Sequence, residues 1–132
     1  MLMAKHFAPL LVDSKEAAVF ASISARVGSI GDNVMGGWYS YRAAKAAQNM
    51  LTKTLSIELK RRSRGKCAAI GLHPGTVRTD LSSPFSKNVK PEMLFEPEQA
   101  ASMLLDVVAS ARADPSGRTG ALYDYAGEVI EW

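Results

Sequence analysis

Cys67-Ala68-Ala69-Ile70-Gly71-Leu72, running into His73-Pro74-Gly75, is the stretch that decides the fold. A short uncharged run closed by a proline–glycine turn reads as a strand buried on both faces. Upstream, Ala17-Ala18-Val19-Phe20-Ala21 has the same character, bounded by Ser14-Lys15-Glu16 and by Ser22. Between them lie a glycine-rich loop, Gly28 to Gly37, and a helix predicted from Tyr41 to about Arg62, with Ser40 as its candidate cap. Ala43, Ala44, Ala47, Met50, Leu51, Leu55, Ile57 and Leu59 are its predicted apolar residues, and the small ones permit close approach of another helix.

Working outward, Met1–Leu11 reads as an amphipathic helix, with Met3, Phe7, Leu10 and Leu11 at helical spacing. Thr76 to Phe95 is irregular. A helix starts at Pro97, a tolerated first position, with Ala100, Ala101, Leu104, Val107 and Val108 on one face. Asp114-Pro115-Ser116-Gly117 reads as a turn, and Ala121–Tyr125 as a last short strand. Helix, strand, helix, strand, helix, strand is the order of an α/β chain with a mostly parallel sheet. The first strand has no partner on its outer side, which leaves an open edge.

Composition bounds the function. The chain has 132 residues, 47% of them hydrophobic and 22% charged, enough for a single domain with a real core. No apolar run approaches the ~18 residues of a membrane span. The apolar start is broken by Lys5 and His6 and lacks a small-residue cleavage site, so it is read as a helix within a domain. Cys67 is the one cysteine, which excludes an internal disulfide and fits a reducing cytoplasm. Much of the net charge of +3 lies in Lys60-Arg61-Arg62-Ser63-Arg64-Gly65-Lys66. Without interleaved aromatics that run reads as the basic end of a helix closed by Gly65, not as a nucleic-acid surface. No metal-ligand spacing is present.

The chemistry centres on Tyr41-Arg42-Ala43-Ala44-Lys45. Four residues apart on a helix, a tyrosine and a lysine share one face and act on one bound molecule. A phenol ordinarily titrates near ~10, too high for efficient proton transfer at neutral pH, and a nearby ammonium favours the phenolate. Such a pair suits the proton step of a carbonyl/alcohol interconversion. Tyr39 is out of register, because Ala43 stands four residues on. The strand ending in Ser22-Ile23-Ser24 precedes the motif and the strand ending in Pro74-Gly75 follows it, so both strand ends fall where open α/β sheets bind ligands.

Strand, serine, glycine loop, Tyr-x-x-x-Lys helix, strand and Pro-Gly-x-x-x-Thr together resemble the short-chain dehydrogenase/reductase family. Ser24-Ala25-Arg26-Val27-Gly28-Ser29-Ile30, Gly36-Gly37-Trp38-Tyr39-Ser40-Tyr41-Arg42-Ala43-Ala44-Lys45 and the closing Tyr123–Trp132 are similar to its C-factor branch, which includes sniffer-type carbonyl reductases. The resemblance covers essentially the whole chain. It implies a partial domain over residues 1–132, the C-terminal half of a doubly wound Rossmann-type sheet with three strands and three helices.

By that resemblance Tyr41 is the catalytic acid/base, and Lys45 holds the nicotinamide ribose and assists the tyrosine. Pro74, Gly75, Val77 and Thr79 face the cofactor, NAD or NADP. Two serines compete to orient the substrate carbonyl. The strand-end pair falls on Ser24 and Ala25, which favours Ser24, and Ser29 is the other candidate. His6 and His73 are read as non-catalytic. The family's first strand, its glycine-rich phosphate turn, its Asn-Ala-Gly strand end and its helix asparagine have no counterpart here. Gly28–Gly37 lacks the Gly-x-Gly-x-x-Gly order that presents amides to a pyrophosphate. Two functions follow as expectations. One is an oxidoreductase acting on a small carbonyl or alcohol, inactive as this stretch alone. The other is a non-catalytic module that oligomerises through the Tyr41–Arg62 helix as a homodimer or homotetramer, with a C-factor-like role in cell–cell signalling. Neither a nucleic acid nor a membrane is an expected partner.

Overall fold

The computed structural model describes residues 2–87 and 89–132. In chain order the elements are α1 (Leu2–Val12), β1 (Ala18–Ile23), α2 (Tyr39–Arg62), β2 (Cys67–His73), β3 (Thr76–Val77), α3 (Ser83–Ser86), β4 (Leu94–Phe95), α4 (Pro97–Ala113), α5 (Pro115–Arg118), β5 (Leu122–Asp124) and β6 (Val129–Ile130). Met1, where the first helix was expected to begin, lies outside the described residues.

The main sheet runs β1-β2-β5-β6. The three expected strands are parallel, with Ala18 to Ile23 paired on Cys67 to Leu72, and Gly71 to His73 on Leu122 to Asp124. A fourth strand, β6, returns antiparallel to β5. Its turn is built by Asp124, whose Oδ1 accepts from the amides of Ala126 and Glu128 at 3.0 Å each. Two residues are too few for periodicity to register, so this strand is invisible in the sequence. The same holds for β3 and β4, a second small parallel sheet inside the segment read as irregular. The Asp114–Gly117 turn is in fact wound into α5, whose cap is Asp114 accepting from Gly117 N at 3.0 Å.

Strand alternation sorts the core into two layers. Cys67 and Ala69 with Ala18 and Phe20 face α1 and α2, where Ala4, Ala8, Leu55 and Leu59 pack. Ile70, Leu72, Val19 and Tyr123 face α4, against Leu104, Val107, Val108 and Ala111. β2, in the middle, is buried along nearly its whole length. β1 is not. Ser24 N bonds Leu72 O and Ala18 N bonds Lys66 O. By the alternation of a parallel ladder the backbone groups of Val19, Ala21 and Ile23 therefore point to the outer edge, where no described strand lies.

In α1 and α2 only part of the apolar set lies inward: Leu11, Leu55 and Leu59 pack in the core, and small residues complete the buried faces. In α2 the buried residues are Asn49, Thr52, Leu55, Ser56 and Leu59. Met50 and Ile57 are 66% and 60% exposed, and Ala43, Ala47 and Leu51 are exposed beside them. The small polar face fits the flat alanine-rich surface of β2. Its hydroxyls are satisfied within the helix, Thr52 donating to Gln48 O at 3.0 Å and Ser56 to Lys53 O at 2.6 Å. In α1, Ala4 and Ala8 face the core while Met3, Phe7 and Leu10 are exposed.

The basic run behaves as a helix end. Gly65, with φ +85°, donates its amide to Lys60 O at 2.8 Å and closes α2. No helix among the described residues is long and apolar enough to cross a membrane.

Candidate functional site

The C-terminal ends of β1 and β2 and the first turn of α2 open onto one cavity of about 900 Å³. Ser24, Tyr41, Lys45, Pro74, Gly75, Val77 and Thr79 all line it. Sequence positions 24 to 79 thus converge where the parallel strands end. Ser29 does not join them. It is buried beside a separate recess of about 200 Å³, and its Oγ accepts from Asp32 N at 2.9 Å.

Tyr41 and Lys45 share one face of α2, with the ammonium 5.9 Å from the centre of the phenol ring. Lys45 Nζ donates to Ile23 O at 3.2 Å and to Gln48 Oε1 at 3.1 Å. Gln48 is itself anchored, its amide donating to Ser22 Oγ and Ile23 O at 2.8 Å each. An ammonium has three protons, and these two acceptors leave the third for a bound hydroxyl. Ser24 is buried, and its hydroxyl donates to Asn49 Oδ1 at 2.5 Å. Neither Gln48 nor Asn49 stands out in the sequence. Their one signal is spacing, three and four residues beyond Lys45 on the same helix.

Gly28 explains how the loop is pressed onto this helix. A Cβ there would lie 2.7 Å from the Lys45 carbonyl carbon and 2.9 Å from Asn49 Nδ2, so only glycine permits the contact. Gly75 is constrained twice. Its φ is +74°, and a Cβ would lie 2.8 Å from Phe95 and 2.9 Å from Tyr125, whose rings meet edge to face at 4.6 Å. The helix start also differs from the expected Ser40 cap. α2 begins at Tyr39, and the residue before it is Trp38, in the left-handed region with no side-chain cap bond.

Arg26 and His73 also line the cavity. Arg26 bonds Asp124 at 3.3 Å and pairs with Asp32 at 3.5 Å. Burial, and then the Arg26 guanidinium, push His73 down to about 4, with Asp124 and Asp32 opposing. His73 is therefore neutral at pH 7, and its Nδ1 is buried without a hydrogen-bond partner. An unfolded histidine titrates near ~6.5, so the unfolded chain carries one more proton between that pH and about 4. This contribution to stability is complete above the upper limit and is lost as pH falls through the window, by about 1.4 kcal/mol per pH unit at most. Chemical denaturation between pH 7 and 4 should show that slope, and His73→Gln should remove it. Parallel profiles for the two proteins would contradict the assignment.

Among the described residues no group of three His, Cys, Asp or Glu is placed to hold a metal ion. The sequence profile of the short chain dehydrogenase family matches residues 1–90. The 1-hydroxy-2-glutathionyl-2-methyl-3-butene dehydrogenase of Rhodococcus sp. (strain AD45) is 39% identical over 124 residues, 94% of this chain and 50% of that protein. The C-signal protein of Myxococcus xanthus is 35% identical over 112 residues, 85% of this chain and 60% of the relative. Among solved structures, the NADPH-bound carbonyl reductase from chicken fatty liver superposes with a TM-score of 0.80 at 27% identity, covering 99% of this chain and 52% of that one. The carbonyl reductase Sniffer of D. melanogaster gives 0.79 at 25% identity, with 99% and 52% covered. The chain spans about half the length of the curated relatives it matches. A tyrosine–lysine helix, a strand-end serine and a proline–glycine turn around one cavity, in a chain matched by this profile over residues 1–90, belong to a member of the short-chain dehydrogenase/reductase family of oxidoreductases.

Proposed function

We propose that this chain is the catalytic half of an NAD- or NADP-dependent oxidoreductase that interconverts a small carbonyl compound and its alcohol. The observation that carries the reading is the convergence of Tyr41, Lys45 and the Pro74–Gly75 turn on one cavity at the end of a parallel sheet. The residues fit the nicotinamide end of such a cofactor. Lys45 has an ammonium proton to offer a ribose hydroxyl, and Val77 and Thr79 line the same cavity. When bound, the nicotinamide supplies or takes the hydride. Tyr41 gives its phenolic proton to the carbonyl oxygen in reduction and takes it back in oxidation. The Lys45 cation stabilises the charge that develops on the phenol oxygen.

Ser24 is the better placed of the two serines, because it lines the cavity and Ser29 does not. To donate to a substrate its hydroxyl must turn from Asn49. Cytoplasmic residence fits a chain whose one cysteine, Cys67, is buried and unpaired. The decisive measurement is cofactor-dependent carbonyl reduction by this chain recombined with the amino-terminal half of a relative, such as the Rhodococcus dehydrogenase. Failure of the assembled protein to oxidise either reduced cofactor with any of a panel of aldehydes and ketones would reject the reading.

A second reading, a non-catalytic oligomerising or signalling module, draws on one observation. Ala43, Ala47, Met50, Leu51 and Ile57 form a single stripe along α2, and all are exposed. Soluble monomers rarely leave such a stripe bare, and its small residues suit close helix packing. We expect a homodimer or homotetramer with α2 at its centre. Light scattering at micromolar concentration should show the oligomer, and Ala47→Glu should shift it to monomer without loss of helix signal. A monomer before substitution would contradict this.

A further inference from the structure

Arg42 stands between the two residues of the Tyr-x-x-x-Lys motif, and no role has been assigned to it above. Its guanidinium makes three hydrogen bonds, all to backbone carbonyls: Nε to Gly37 O at 3.0 Å, Nη2 to Gly36 O at 3.1 Å and Nη1 to Val27 O at 3.1 Å. Val27 belongs to the turn pressed onto α2 through Gly28. Gly36 and Gly37 belong to the loop that leads into the helix. One side chain therefore ties both ends of the Gly28–Gly37 loop to the catalytic helix.

The loop has a reason to need tying. Gly36, Gly37 and Trp38 are consecutive left-handed residues, with φ of +64°, +72° and +50°. A Cβ at either glycine would meet nothing within 4 Å, so these glycines serve conformation and not room. Trp38 has no such freedom. A bulky side chain in this region is strained and persists only where the surroundings hold it. The turn aims the carbonyls of Gly36 and Gly37 at one point, and the fork of Arg42 occupies it. The strained residue then places its indole on the cavity wall, edge to face with Tyr41 at 6.3 Å between ring centres.

We propose that Arg42 is a positioning residue: by gripping three carbonyls it locks the left-handed Gly36–Trp38 turn and so fixes the Trp38 indole as the wall beside Tyr41 that sorts substrates by the bulk attached to their carbonyl. The clamp stands on this geometry alone, and the sorting of substrates rests on the oxidoreductase reading. Lysine cannot replace arginine here, because a single ammonium does not present donors in three fixed in-plane directions.

The clamp is tested in the chain itself. With Trp132→Phe as background, Trp38 is the sole tryptophan, and excitation beyond the tyrosine absorption band reports on it alone. Arg42→Lys and Arg42→Gln should each lower its anisotropy and raise its acrylamide quenching by about twofold or more, with helix content retained. Unchanged anisotropy and quenching in both folded variants would overturn the clamp. Should either variant lose its helix signal, adding Trp38→Gly should restore it, since glycine adopts the left-handed backbone without strain. Absence of rescue would overturn the proposal.

The sorting of substrates is tested in the protein recombined with an amino-terminal half. Arg42→Lys should raise KM for a bulky aryl ketone about tenfold, while kcat and the KM of a small aldehyde move by less than about threefold. An equal KM change for both substrates, or a fall in kcat alone, would overturn that role. A recombined protein with Arg42 intact that reduces neither substrate would sink the oxidoreductase reading and leave the clamp to be decided by fluorescence.

Discussion

Tyr41→Phe in the recombined protein should lower carbonyl reduction by about 10²- to 10⁴-fold while leaving cofactor affinity nearly unchanged. The substitution keeps the ring that packs edge to face on Trp38 and removes only the hydroxyl, so the cavity wall survives and the transferable proton does not. Lys45→Ala should behave differently. Its ammonium lies 5.9 Å from the phenol ring and has a proton to offer a bound ribose, so its loss should reduce both turnover and cofactor affinity. Ser24→Ala and Ser29→Ala separate the serines in the same assay. Ser24→Ala should reduce kcat, whereas Ser29→Ala should act through the loop, because Ser29 Oγ accepts from Asp32 N and lies outside the cavity. A Tyr41→Phe protein retaining most of its turnover would remove the tyrosine from the proton step.

Titrated alone with NAD(H) or NADP(H), the chain should show no binding in the micromolar range. Two physical facts motivate this. Lys45, Pro74, Gly75, Val77 and Thr79 line one cavity, and under the proposed function they would meet only the nicotinamide end of the cofactor. The pyrophosphate of a dinucleotide is ordinarily held by amides at a helix start behind a glycine-rich turn, and Gly28–Gly37 does not have that order. The outward backbone groups of β1 also lack a described partner strand, and Ile23 at its end is 52% exposed. An open edge of this kind pairs with another strand or aggregates. Calorimetry should therefore register binding only after an amino-terminal half has been added, together with the appearance of reductase activity. Micromolar binding by the chain alone would instead mean a cofactor site built from the residues described here.

The sequence carried a great deal of this. The three parallel strands, the three long helices, the start of α4 at Pro97 and the end of α2 before Gly65 follow from apolar runs and terminal residues, because burial between layers demands uncharged strands and helix ends demand particular residues. The pairing of Tyr41 with Lys45 follows from helical periodicity alone. Periodicity also misled. It grouped Met3, Phe7 and Leu10 with Leu11 in α1, and Met50 and Ile57 with Leu55 and Leu59 in α2, yet of these only Leu11, Leu55 and Leu59 pack in the core, beside Ala4, Ala8, Asn49, Thr52 and Ser56.

The physical reason for that reversal is shape. A flat sheet surface made by Cys67 and Ala69 of β2 beside Ala18 of β1 accepts a helix at close range through small side chains, and hydroxyls bonded within their own helix are cheap to bury there. Local sequence therefore determined the three parallel strands and the three long helices, and which tyrosine and lysine share a helix face. It could not determine which face of a helix lies inward, that Ser24 rests on Asn49 while Ser29 turns from the cavity, or that Arg42 grips carbonyls from Val27 and from Gly36 and Gly37. Those depend on contacts between residues brought together only when the loop and helix pack, where geometry and not residue type sets the partner.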